Sequence, residues 1–221
     1  MKKILTSLSF FLCLCFSLCL FSCKNTNGLE SYVSELRTVS YRGESEEYSL
    51  KANYGFKETP FVKDGKVGEK AYSLTIKLLG VSLDPATYYA SLTFDEINYK
   101  DKFILDSSGG LSVSFEIKDF KENEFDVNII CGNKTQTVKL VSVVPENTLT
   151  YVDALNNLKE TQSELVSVYY DGEEFNAEIY ARILVKEDKP YWYIAFATSN
   201  DLKALLIDGF TGEVLAIRNV F

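Results

Sequence analysis

Between about Glu44 and Val144 the apolar residues recur at every second position, in runs too short and too β-rich for helices. "YSLKANYGF", "AYSLTIKLLG", "YYASLTF", "KFILD", "LSVSFEIKDF", "FDVNIIC" and "QTVKLVSVV" are dense in β-branched and aromatic residues. Turn material separates them: "KDGKVGEK", "SLDPAT", "DSSGG", "KEN" and "GNKT". Strands with one apolar face and no intervening helices can bury those faces only against another sheet. The pattern therefore predicts an antiparallel β-sandwich over 44–145. Pro145 in "VVPENT" ends the last strand and marks a natural boundary.

The sandwich is Ig-like in size and architecture only. Trp192, the one tryptophan, lies outside it, so the Cys…Trp…Cys framework of antibody domains is missing. Residues 148–221 carry a different order of elements. Thr150 can cap a helix and Asp153 suits its first turn, with Tyr151, Ala154, Leu155 and Leu158 lining one face until the helix fades near Thr161–Ser163. The runs "LVSVYYD", "FNAEIYARILV", "YWYIAFAT", "KALLID" and "EVLAIR" then read as strands, with "KEDKP" and "TSND" as turns. Ala177, Ile179, Ala181, Ile183 and Val185 alternate with Glu178, Tyr180 and Arg182, predicting one core face and one partly solvated face. A helix lying across an antiparallel meander makes this segment α+β, so the whole chain is mainly β with an α+β end.

The N-terminus is set apart from the fold. Lys2 and Lys3 precede an almost wholly apolar stretch from Ile4 to Leu20, the pattern of a signal peptide over 1–22. It closes on Leu20-Phe21-Ser22-Cys23, which resembles the lipobox of bacterial lipoproteins, although Phe21 is bulkier than the small residue usual there. That resemblance implies cleavage before Cys23 and acylation of its thiol and amine. Several acyl chains anchor a protein stably where one is marginal. The expected partner of this end is thus a bacterial cell membrane, with the folded part facing away from the cytoplasm. Residues 23–43 would form a lipidated stem. Leu29, Tyr32, Val33 and Leu36 fall at helical spacing in it, and the piece either packs on the next domain or pairs as a first strand through "RTVSYRG".

Removing Lys2 and Lys3 from 23 basic residues leaves 21 against 31 acidic, a net charge of −10. Such a chain lacks the basic footprint of a nucleic-acid binder and would not adhere to anionic lipid by charge. Beyond Cys23 only Cys131 remains, in the apolar run "VNIIC", which reads as a small buried side chain.

The last third of the chain carries a second resemblance. A helix, the aromatic strand "YWYIAF", and then Ile207, Asp208, Thr211, Gly212, Glu213 and Val214 resemble a PepSY domain, which closes on a Val-Asp-x-x-Thr-Gly-Glu/Lys-Val/Ile hairpin. PepSY domains occur in propeptides of secreted metallopeptidases and in cell-envelope proteins, where they restrain or chaperone peptidases. The resemblance implies a regulatory or binding module and no catalytic residue. Asp208, Thr211 and Gly212 read as structural turn residues: two side-chain acceptors for loop N–H groups, and a glycine free to take positive φ.

The chain has no histidine. Ser-His-Asp and Cys-His catalysis and His-ligated zinc are therefore excluded. No cofactor or metal site is expected, since "YYDGEEFNAE" falls short of a calcium loop and "GKVGEK" lacks the ending of a phosphate loop. Tyr191 and Tyr193 share one face of their strand and are the candidate partner-binding residues, with Trp192, Ile194 and Phe196 assigned to the core face. The expected function is that of a non-enzymatic binding or regulatory lipoprotein acting on an envelope protein, such as a peptidase. The alternatives are a carboxylate-dependent envelope hydrolase and an adhesin or glycan binder.

Overall fold

The computed structural model describes residues 28–62, 65–81 and 87–220; the segment expected to be a signal peptide, 1–22, and Cys23 lie outside the described residues. A 3₁₀ turn, Leu29–Tyr32, leads into β1 (Val33–Glu44), then β2 (Ser49–Thr59) and β3 (Glu69–Leu79). There follow β4 (Tyr88–Phe94), β5 (Ile97–Lys102), β6 (Ile104–Leu105), β7 (Leu111–Glu116), β8 (Glu124–Cys131) and β9 (Lys134–Ser142). Helices α1 (Tyr151–Thr161) and α2 (Ser163–Ser167) come next, then the short pair β10 (Tyr170–Asp171) and β11 (Glu174–Phe175). The chain closes with β12 (Glu178–Lys186), β13 (Lys189–Ala197), β14 (Leu202–Asp208) and β15 (Val214–Val220).

The architecture is mainly β and antiparallel, with a sandwich in its first part. One sheet carries β1-β2-β3-β7-β6 and is faced by β9-β8-β4-β5, the two joined where β1 pairs with β9. Both contribute to one core, with Leu50, Ile76 and Val113 from the first layer meeting Ile129, Val138 and Leu140 from the second. Two-residue turns at Asp95-Glu96 and Gly132-Asn133 connect neighbouring strands, with positive φ at Asp95, Glu96 and Gly132.

The same sheet continues into the C-terminal segment. The first half of β1 pairs in parallel with β12, and β13, β14 and β15 follow in antiparallel order. Thr150 and Asp153 form a capping box that starts α1, and Ala154, Leu155 and Leu158 are buried against Ile179, Trp192, Ile194, Phe196 and Ile207. Trp192, on the strand face assigned to the core, also donates from Nε1 to the Leu149 carbonyl at 2.8 Å, tying β13 to the approach of the helix.

Both cores lie on one side of the shared sheet. In β2, Leu50, Ala52 and Tyr54 enter the sandwich core and Phe56, two residues on, enters the helix-covered core. β1 cannot do this by simple alternation, because Leu36 belongs to the second core while Val39 packs on the first. A β-bulge at Thr38 supplies the missing residue: Arg37 opposes Gly55 and Val39 opposes Tyr54. The helical-looking spacing of Leu29, Tyr32, Val33 and Leu36 is therefore one 3₁₀ turn followed by an irregular strand, not an α-helix.

Three further expectations are revised. "LVSVYYD" is helical at Leu165–Ser167, where Val166 fills the second core, and strand only at Tyr170–Asp171. Cys131 is half-exposed rather than buried, because it ends β8 beside a turn. Glu178 and Tyr180, expected on a partly solvated face, are buried because β12 is an interior strand flanked by β1 and β13.

Candidate functional site

Charged and aromatic side chains collect on the side of the sheet opposite the two cores. Register puts Glu35 and Arg37 of β1, Asn53, Gly55 and Lys57 of β2, Ser73 and Thr75 of β3, and Tyr180 and Arg182 of β12 on this side. Beside the bulge lies a cavity of about 270 Å³ lined by Glu35, Arg37, Gly55, Lys57, Ser73 and Lys77 among others. Gly55 is demanded by the bulge, since a Cβ there would collide with the Leu36 carbonyl oxygen and the Arg37 Cα.

Glu35 is the electrostatic centre. Arg182 donates from Nε to Oε1 at 2.8 Å and from Nη2 to Oε2 at 2.6 Å, a two-pronged pairing. Arg37 adds its Nη2 to Oε1 at 2.8 Å. The Glu35 side chain is only 6% exposed, against 32% for Arg182 and 46% for Arg37. Burial pushes the Glu35 carboxyl up, but the Arg182 hydrogen bonds and the charges of Arg37, Arg182 and Lys57 outweigh it and hold the group below its ordinary value.

A ladder of cations and rings runs outward from this centre. The Lys57 ammonium lies 4.1 Å from the centre of the Phe61 ring, and Phe61 packs on Tyr180 at 5.8 Å. The Arg182 guanidinium sits 5.8 Å from the Tyr180 ring and 5.6 Å from that of Tyr193. Desolvation drives the Tyr180 hydroxyl well above the usual phenol range, and that hydroxyl finds no hydrogen-bond partner among the described residues.

The two candidate tyrosines separate here. Tyr193 stands opposite Arg182 and joins the ladder, whereas Tyr191 stands opposite Leu184 and Asp208, nearer the closing hairpin. Both are half-exposed on the open face. Sequence reasoning missed Glu35, Arg37, Lys57 and Arg182. The available signal was the placing of charges at Glu35, Arg37 and Arg182 inside otherwise apolar strands.

The closing turn is built by local hydrogen bonds. Asp208 Oδ1 accepts from the Phe210 and Thr211 N–H groups, each at 2.9 Å, and Thr211 Oγ1 accepts from Glu213 N–H at 3.2 Å. The Thr211 and Phe210 N–H groups lower the Asp208 pKa. Gly212 takes φ +76°, and a Cβ there would strike the Asn157 amide on α1.

Buried carboxylates are committed elsewhere. Glu58 accepts from the Val62 and Gly68 N–H groups at 3.2 and 3.0 Å, bracing the loop between β2 and β3. Glu178 accepts from Ser34 Oγ at 3.1 Å. A general acid needs a raised pKa, and Glu35 has the reverse. Asp95, Glu122, Glu124 and Asp126 line a second cleft of about 420 Å³, all exposed, with Glu124 paired to Lys139 at 2.8 Å. Among the described residues no group of three or more His, Cys, Asp or Glu side chains could hold a metal ion, and no helix is long and apolar enough to cross a membrane.

Compared with known proteins, the chain matches no family model, no curated protein and no solved structure.

Proposed function

We propose that this chain is a lipoprotein of a bacterial cell envelope, anchored through acyl chains on Cys23, and that it works by binding rather than by catalysis. Its target on this reading is another envelope or secreted protein, with a peptidase favoured by the PepSY-like order of α1 and β12–β15 and by the Asp208–Val214 hairpin. The observation that carries the binding role is the open sheet face. Aromatic and cationic side chains of the kind that dominate recognition hot spots line it, and the buried carboxylate at its centre, Glu35, is saturated by arginines.

Two measurements test this reading. Metabolic labelling with a palmitate analogue should mark the wild-type protein and not Cys23→Ser, which should leave the membrane fraction. The full-length lipidated protein should then change the rate of a peptidase from the same envelope, and Arg182→Ala/Tyr193→Ala should abolish the change. A folded double variant that acts like wild type would move recognition away from this face. A wild type without effect on any envelope peptidase would remove the regulatory role.

A further inference from the structure

The chain as a whole carries a net charge of −8, yet around the β1 bulge the balance is reversed. Arg37, Lys57 and Arg182 all act on the single carboxylate of Glu35. Lys77, on the far wall, is held by Asp106 at 2.7 Å. Among the residues that line the cavity, Arg37, Lys57 and Lys77 face the two carboxylates of Glu35 and Asp106, a surplus of one positive charge in an acidic protein. Both Glu35 oxygens are already engaged and cannot neutralise the surplus further.

Two of these cations have capacity to spare. Lys57 has no carboxylate within salt-bridge distance among the described residues, and its ammonium rests on the Phe61 ring. Arg37 is nearly half exposed and meets Glu35 through Nη2 at 2.8 Å. Between them the cavity floor at Gly55 has no side chain, and Ser73 and Asn53 add a hydroxyl and an amide to the wall.

We propose that this cradle binds a small organic oxyanion, a carboxylate or a phosphate group, through Arg37 and Lys57 with Ser73 in support. The planar guanidinium suits the paired oxygens of either group, and an ammonium supplies a second point charge. Size and field both favour a small ligand over a polyanion. At about 270 Å³ the cavity is slightly smaller than drug-sized ligand sites, which run from about 300 to 1,000 Å³. The acidic remainder of the surface repels an extended polyanion, whereas a single group inside the cradle feels mainly the cations within about one Debye length, some 8 Å. The site goes beyond the partner-binding role and stands independently of it.

Titration calorimetry on the full-length chain in a neutral detergent tests the site, with inorganic phosphate and succinate as separate probes at low salt. At least one of them should bind saturably with a dissociation constant below about 10 mM. Raising the salt from about 50 to 500 mM should weaken that binding by about threefold or more. Arg37→Gln and Lys57→Gln should each weaken it by about fivefold or more, and Lys159→Gln, on the exposed side of α1, should leave it unchanged. Trp192 emission reports whether each variant is folded. The probe that saturates identifies the preferred group as carboxylate or phosphate. Failure of both probes to saturate by about 50 mM, or undiminished binding in a folded Arg37→Gln/Lys57→Gln double variant, would overturn the assignment.

Discussion

Glu35→Gln is the sharpest test of how the shared sheet is held together. The carboxylate receives Arg182 through two hydrogen bonds at 2.8 and 2.6 Å and Arg37 through a third contact at 2.8 Å, with 6% of the side chain exposed. Glutamine keeps the shape but offers one acceptor oxygen. Its amide nitrogen must then face a guanidinium N–H, so at least one charge-assisted bond becomes a donor–donor contact. Such bonds contribute roughly 1.5–3 kcal/mol each, and relief of the burial cost of the carboxylate offsets part of the loss. A net destabilisation of about 2–3 kcal/mol follows at pH 7, or about 5–10 °C in Tm for a chain of this size. Urea unfolding followed through Trp192, the only tryptophan and 3% exposed, measures it directly. The pH dependence supplies a second check. Glu35 has a folded pKa below its unfolded value of about 4.3, so its contribution is complete above that value and is lost as pH falls through the folded one. The gap between wild type and Glu35→Gln should therefore narrow in acid. A gap under about 0.5 kcal/mol at pH 7, or one that stays constant into acid, would refute the reasoning.

Three other perturbations probe the frame around it. Gly55→Ala drives a methyl group into the Leu36 carbonyl and the Arg37 Cα at the bulge and should cost about 3 kcal/mol or more, read from the urea midpoint. Gly212→Ala must place an alanine at φ +76° against Asn157 and should lose about 1–2 kcal/mol, while Asp208→Ala should lose about 1 kcal/mol with a deficit that shrinks as pH falls through the lowered pKa of Asp208. Thermal melts at pH 7 and in acid measure both. Trp192→Phe removes the 2.8 Å bond to Leu149 and leaves a void beneath α1, for about 2–4 kcal/mol by circular dichroism.

The strands were legible wherever one face is dry and the other wet. Leu50, Ala52, Tyr54 and Phe56 alternate without a break, and Trp192, Ile194 and Phe196 occupy the core face that alternation assigns them. The start of α1 was legible because Thr150 and Asp153 act within three residues of each other. β1 misleads for a physical reason: a 3₁₀ turn and a bulge displace its apolar residues into a helix-like spacing. The Glu35–Arg182 pairing joins residues 147 apart, so no local pattern encodes it. Tyr193 could be singled out because its strand is aromatic, but the arginine that gives it a neighbour could not.

The parallel pairing of β1 with β12 also sets an order of events. β1 is synthesised near the beginning of the chain, and its partner residues Ile179 to Arg182 arrive only after β2 through β9 and both helices. Until then Val33 to Arg37 present an unfinished sheet edge carrying Leu36, and the apolar face of α1 has no β12–β14 surface to pack on. Long-range parallel closure of this kind is slow, and an open edge is a template for pairing with another chain. A chain halted before β12 would therefore be a self-associating species, and the interval before closure is when this protein most needs a chaperone.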